Sequence, residues 1–72
     1  MSEAIIAVDL GGTRIRAARL NQNLDIEMRE ETLTEVERGL DDTLERFKNM
    51  VRAVWPTDGT KVTGIGVSSP GP

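Results

Sequence analysis

Ala4-Ile5-Ile6-Ala7-Val8-Asp9-Leu10-Gly11-Gly12-Thr13 is the stretch on which the fold of this chain turns. Ala4 to Leu10 is a continuous apolar run rather than an alternating one, the pattern of a central strand covered on both faces. Gly11-Gly12-Thr13 interrupts it. Arg14 to Leu20 then reads as a second strand returning antiparallel through a tight turn. Asn21-Gln22-Asn23 is the next turn, since Asn tolerates left-handed backbone angles. Leu24, Ile26 and Met28 alternate with Asp25, Glu27 and Arg29, a third strand with one dry face. Its charged outer side suits a sheet edge, where charge discourages pairing with foreign chains.

Beyond that the hydrophobic period changes. Val36, Leu40, Leu44, Phe47, Val51 and Val54 are spaced 4, 4, 3, 4 and 3 apart, one stripe of an amphipathic helix. Thr34 and Glu37 form an S/T-x-x-E capping box that starts the helix near Glu35. Gly39 costs about 1 kcal/mol inside such a helix, so a start nearer Leu40 is the alternative. Pro56 ends it, because the residue before a proline avoids helical angles. Thr57-Asp58-Gly59-Thr60 is a turn. Lys61 to Ser68 is a fourth strand, with Val62, Gly64, Gly66 and Ser68 on one face and Thr63, Ile65 and Val67 on the other. The small face lets a helix or ligand approach the backbone closely. Pro70-Gly71-Pro72 reads as a stiff loop.

The expected fold is therefore α/β: a three-stranded antiparallel meander, one helix, and a fourth strand parallel to the first by a right-handed crossover. The sheet order is 3-2-1-4, and one domain spans residues 1–72.

Composition narrows the function classes. The chain has 72 residues, a net charge of −3 and 38% apolar residues, so a basic nucleic-acid footprint is absent. No run is long enough to cross a bilayer, and no basic start precedes an apolar stretch as in a signal peptide. A cytoplasmic location is the expectation. With no Cys and no His there is neither a disulfide framework nor a zinc cluster. In an unstapled chain this short, burial and chain entropy nearly cancel. The expectation is a fragment or opening section of a larger protein, or a homo-oligomer.

The chemistry sits at Asp9-Leu10-Gly11-Gly12-Thr13. A carboxylate ends a buried strand, then two glycines and a hydroxyl fill a hairpin turn. Glycines expose successive backbone N–H groups, a nest that holds phosphate oxygens. Thr13 adds an O–H donor. Asp9 could orient Mg²⁺ through water, since Mg²⁺ keeps much of its hydration shell near phosphates. Neither the Walker A pattern nor G-x-G-x-x-G is present. The plain alternative is an ordinary Gly-Gly hairpin with an Asp capping the turn.

A second stretch, Gly64-Ile65-Gly66-Val67-Ser68-Ser69-Pro70-Gly71-Pro72, tips the balance. The two motifs, in this order around a helix, resemble the ROK family of sugar kinases and related repressors, within the actin-like and sugar-kinase ATPase superfamily. The resemblance implies a partial ribonuclease-H-like, actin-like ATPase domain. It implies that Asp9 is the Mg²⁺-associated carboxylate and that Gly11, Gly12 and Thr13 form the first phosphate loop for ATP. Gly71 would lie near the sugar. Arg14 stands where many members have Lys and either reaches a phosphate or is merely solvated. Ser68 and Ser69 either donate to a sugar hydroxyl or cap a turn. The Gly64 and Gly66 pair reads as helix packing, and Trp55 as closing the helix end against the sheet.

The family's catalytic base, sugar-gripping residues and second phosphate loop fall beyond Pro72. No catalytic residue is therefore expected within the chain, and no turnover from it alone. ROK repressors carry a helix-turn-helix before the glycine motif, whereas eight residues precede Asp9, so a kinase is expected rather than a transcription factor. The resemblance implies ATP, Mg²⁺ and a hexose, glucose by default, phosphorylated at O6. The competing expectations are a non-catalytic folding or assembly piece dimerising through its sheet, a regulatory sugar-binding relative, or another ATPase of the superfamily.

Overall fold

A computed structural model describes residues 2–69. The elements run β1 Glu3–Leu10, β2 Arg14–Asn21, β3 Ile26–Leu33, a 3-10 turn Val36–Arg38, α1 Leu40–Val54 and β4 Lys61–Ser68. The four strands form one sheet in the order β3-β2-β1-β4. β1 runs antiparallel to β2, from Ala4 opposite Asn21 to Leu10 opposite Ile15. β2 runs antiparallel to β3, from Arg14 opposite Leu33. β4 lies parallel to β1, with Asp9 beside Ser68. The expected α/β architecture and sheet order are thus what the chain adopts.

One face of this sheet is dry. Ala4, Ile6 and Val8 of β1 and Ile15 and Ala17 of β2 are buried with Val54 of α1. Leu10, Phe47, Met50, Val51 and Val62 pack around this centre. The apolar run of β1 therefore alternates after all: Ala7 and Asp9 face outward and are exposed. The expectation of cover on both faces fails because the one helix can cover only one. Val62 also changes sides. A register irregularity at Ala4/Ile5 brings it into the core, while Gly64 and Gly66, beside Ile5 and Ala7, stay on the bare face. Their small surface is consequently not where α1 packs.

The helix begins at Leu40, the later of the two starting points. Glu35 has a φ of 51° and Gly39 a φ of 98°, and two left-handed residues cannot sit within an α-helix. The capping box does not form, since the Thr34 hydroxyl bonds elsewhere. Gly39 precedes the helix with no side-chain cap; its carbonyl accepts from the Thr43 N–H and hydroxyl, both at 3.2 Å. Asp41 and Asp42 in the first turn suit the helix dipole. The C-terminus comes at Val54, with Trp55 extended ahead of Pro56.

The predicted stripe is only half used. Phe47, Val51 and Val54 meet the sheet, but Leu40 and Leu44 are 71% and 48% exposed. Trp55, at 42% exposed, does not close the helix end; the fully buried Val54 does. The turn after β2 differs too. Leu24, not an Asn, is left-handed, with a φ of 66°. Asn21 holds the turn instead, its side-chain oxygen accepting from the Asn23 and Asp25 N–H groups at 2.8 and 3.0 Å. β3 accordingly begins at Ile26.

Candidate functional site

The Gly11-Gly12-Thr13 loop links β1 to β2 at one end of the sheet. Its first amide is spent: the Gly11 N–H donates to the Arg14 carbonyl at 2.9 Å. Gly11 is required by space, because an added Cβ would lie 3.0 Å from that same carbonyl oxygen. Gly12 is different. A Cβ there would meet nothing within 4 Å, and its φ lies outside the left-handed region. The hairpin as folded does not need this second glycine.

Thr34, buried just after β3, ties the loop from behind. Its hydroxyl donates to the Gly11 carbonyl at 2.9 Å, and its N–H donates to the Thr13 carbonyl at 2.8 Å. In a trans peptide the C=O and the following N–H point in opposite directions. Anchoring the Gly11 carbonyl to Thr34 therefore turns the Gly12 N–H away from the protein. Among the described residues, no hydrogen bond engages the Gly12 amide, the Thr13 amide or the Thr13 hydroxyl. The donors open to a ligand are those of Gly12 and Thr13, two rather than three amides.

Asp9 lies one residue before Leu10, on the face opposite the core, and is exposed. The strand register aligns Glu31, Arg16, Asp9 and Ser68 in one row across β3, β2, β1 and β4. That row borders an open concavity of about 860 Å³ whose lining includes Ala7, Ala18 and Gly66 with Asp9, Arg16 and Ser68. Ser69 follows β4 and is exposed. Gly71, expected near a sugar, lies outside the described residues, as do Pro70 and Pro72.

Arg14 is not simply solvated. Its guanidinium meets the Glu31 carboxylate at 2.7 Å, and that of Arg16 meets the same group at 2.6 Å. Those two bonds, Arg16 foremost, hold the Glu31 carboxyl below its ordinary pKa. With Asp9 opposite Arg16, two bases and two acids balance beside the glycine loop. Among the described residues no cluster of three potential metal ligands forms, so Asp9 is not part of a ready-made metal cage. A single carboxylate suits a cation that keeps its water and takes other ligands from phosphate.

Sequence reasoning singled out Asp9 and the glycine loop but passed over Thr34, Arg16 and Glu31. The arginine–glutamate cluster was within reach: Arg14 and Arg16 share a strand face, and pairing β2 with β3 sets Glu31 opposite Arg16. The Thr34 tie was not, because the capping-box pattern gave that hydroxyl another use. No protein-family model matches the chain, and no curated protein matches its sequence.

Proposed function

We propose that this chain is the phosphate-binding opening of an ATP-dependent sugar kinase of the ROK type, with a hexose such as glucose as acceptor and the cytoplasm as its location. The observation that carries the reading is Gly12: a glycine without a steric or dihedral reason in the hairpin, its N–H turned outward close in sequence to the exposed Asp9. A backbone that bare admits a phosphate group to hydrogen-bonding distance.

In this reading the Gly12 and Thr13 amides and the Thr13 hydroxyl donate to phosphate oxygens. Gly11 lets the loop close and does not itself donate. Thr34 holds the loop so that these donors are oriented before the nucleotide arrives. Asp9 would hold Mg²⁺ through water, and the ion when bound neutralises phosphate charge. Arg14 and Arg16, each tethered to Glu31, hold guanidinium groups near the loop. Gly71 would contact the sugar. The catalytic base belongs to another part of the protein, so the chain alone binds without turning over.

Calorimetric titration with Mg-ATP tests this. Binding weakened about tenfold or more by Asp9→Asn, with no phosphorylation of glucose by the chain alone, supports the reading; unchanged binding in Asp9→Asn sinks it. A second reading, a non-catalytic assembly piece, is favoured by the apolar side chains left uncovered on α1 and β4. Nucleotide binding that is absent altogether would select it.

A further inference from the structure

Asp9 has two arginines within reach and is bonded to neither. Arg16 stands directly opposite it on β2, and Arg14 is its diagonal neighbour on the same bare face. Both guanidiniums go instead to Glu31 on β3, Arg16 at 2.6 Å and Arg14 at 2.7 Å. Among the described residues, no hydrogen bond or ion pair engages the Asp9 carboxylate. On its other side the row continues to Ser68, a neutral hydroxyl.

The strand register accounts for this choice of partner. The Gly11 N–H bond to the Arg14 carbonyl fixes the phase of the β1–β2 ladder. Two residues further along each strand, Asp9 and Arg16 form a hydrogen-bonded pair, about 5.5 Å apart at Cα. The Thr34 N–H bond to the Thr13 carbonyl fixes the phase between β2 and β3. It makes Ile15 and Thr32 a bonded pair and leaves Arg16 opposite Glu31 in the non-bonded position, about 4.5 Å apart with side chains closer. Glu31 is therefore the nearer acid, and its side chain is one methylene longer than that of Asp9. Ion pairs this exposed add little stability singly. Their consequence here is positional.

We propose that Glu31 is a positioning residue that keeps Arg16, and with it Arg14, off the Asp9 carboxylate, leaving that carboxylate open to a hydrated divalent cation. The inference deepens the nucleotide reading and rests on its assignment of Asp9. Without Glu31, the acid left directly opposite Arg16 is Asp9. A cation approaching a carboxylate already paired with arginine has to displace the guanidinium and meets its positive charge.

Paramagnetic broadening of the Asp9 and Leu10 amide resonances by Mn²⁺, without nucleotide and at about 0.15 M salt, tests this. In the parent chain the broadening should be present, and Asp9→Asn should abolish it. Glu31→Gln should reduce it about threefold or more at equal Mn²⁺, and adding Arg16→Gln to that variant should restore it. Glu30→Gln removes the same charge one residue away, on the other face of β3, and should leave the broadening nearly unchanged. That control separates the clasp from long-range attraction, which salt screens. Arg16→Gln alone should not reduce the broadening, and it keeps the test open if Glu31→Gln folds poorly. The Arg16 Nε–H resonance is a readout without metal: Asp9→Asn should shift it in the Glu31→Gln background and not in the parent. The inference is overturned, with the Asp9 assignment left standing, by broadening that survives Glu31→Gln, stays lost in the double variant, or falls as far in Glu30→Gln or Arg16→Gln. An Arg16 resonance indifferent to Asp9 in the Glu31→Gln background overturns it too. Absence of broadening at Asp9 in the parent overturns that assignment and the inference with it.

Discussion

Replacing Thr34 by valine keeps the shape of the side chain and removes one hydroxyl. That hydroxyl, nearly dry at 2% exposure, is the donor to the Gly11 carbonyl at 2.9 Å. The Thr34 N–H to Thr13 bond, 2.8 Å long, does not depend on the side chain and persists. The loss is therefore one hydrogen bond and its partner's satisfaction. A fully buried carbonyl left unpaired costs about 1–3 kcal/mol, but Gly11 is half-exposed and water can reach it, so the expected loss is about 1 kcal/mol. For a domain this small that lowers Tm by about 4–8 °C. Thr34→Ser, which keeps the hydroxyl, should leave the loop in place and lose only methyl packing. Thermal and urea unfolding followed by circular dichroism measure the stability. Amide exchange and the chemical shift of Gly12 report whether the loop has loosened. If Thr34→Val matches the parent in stability and Gly12 is unmoved, the hydroxyl does not hold the loop, and the argument that it turns the Gly12 amide outward fails.

The two loop glycines should respond in opposite ways. Gly11→Ala drives a Cβ to 3.0 Å from the Arg14 carbonyl oxygen, and a backbone neighbour cannot swing aside, so unfolding in urea should show a loss of about 1–3 kcal/mol. Gly12→Ala meets open space at an ordinary φ; the same experiment should show a change within about 0.5 kcal/mol, or a small gain from the stiffer unfolded chain. Glu31 should make stability depend on acid. Its folded pKa lies below the usual 4.5 because Arg16 and Arg14 bond the carboxylate. Its contribution is thus complete above the unfolded value and is lost as pH falls through the folded one. Unfolding midpoints of the parent and Glu31→Gln should differ at neutral pH and converge as the pH falls through the lowered folded value; a gap that widens in acid contradicts the assignment.

The sheet was legible because its signals are local and agree with one another. The glycine break after Leu10, the turn residues Asn21 to Asn23, and the shift from strand to helical spacing around Thr34 define four strands and one helix. Two short hairpins then leave little freedom in strand order. What was not legible depends on which surface is covered by what. The apolar run of β1 could not disclose that one of its faces lies bare, since Ala7 and Ile5 suit either environment. Thr34 and Glu37 make a valid capping pattern, yet the hydroxyl goes to Gly11 across 23 residues, and left-handed Glu35 and Gly39 delay the helix to Leu40. The turn after β2 is right in place and wrong in detail: Asn21 supplies an acceptor, and Leu24 takes the left-handed angle. At the site, the loop and Asp9 were visible as a motif, but only coordinates distinguish an engaged Gly11 amide from a free Gly12 one. Ion pairing of Arg14 and Arg16 through Glu31, by contrast, was within reach, because it follows from the β2–β3 register that the short hairpin sets.

Amide NMR during titration of the chain with Mg-ATP tests whether the turn after β1 presents its amides to phosphate. The Gly12 and Thr13 resonances should move furthest and saturate together, and Asp9→Asn should diminish the response. Resonances of Gly12 and Thr13 that stay fixed while the nucleotide binds elsewhere, or does not bind, would contradict that role for the turn.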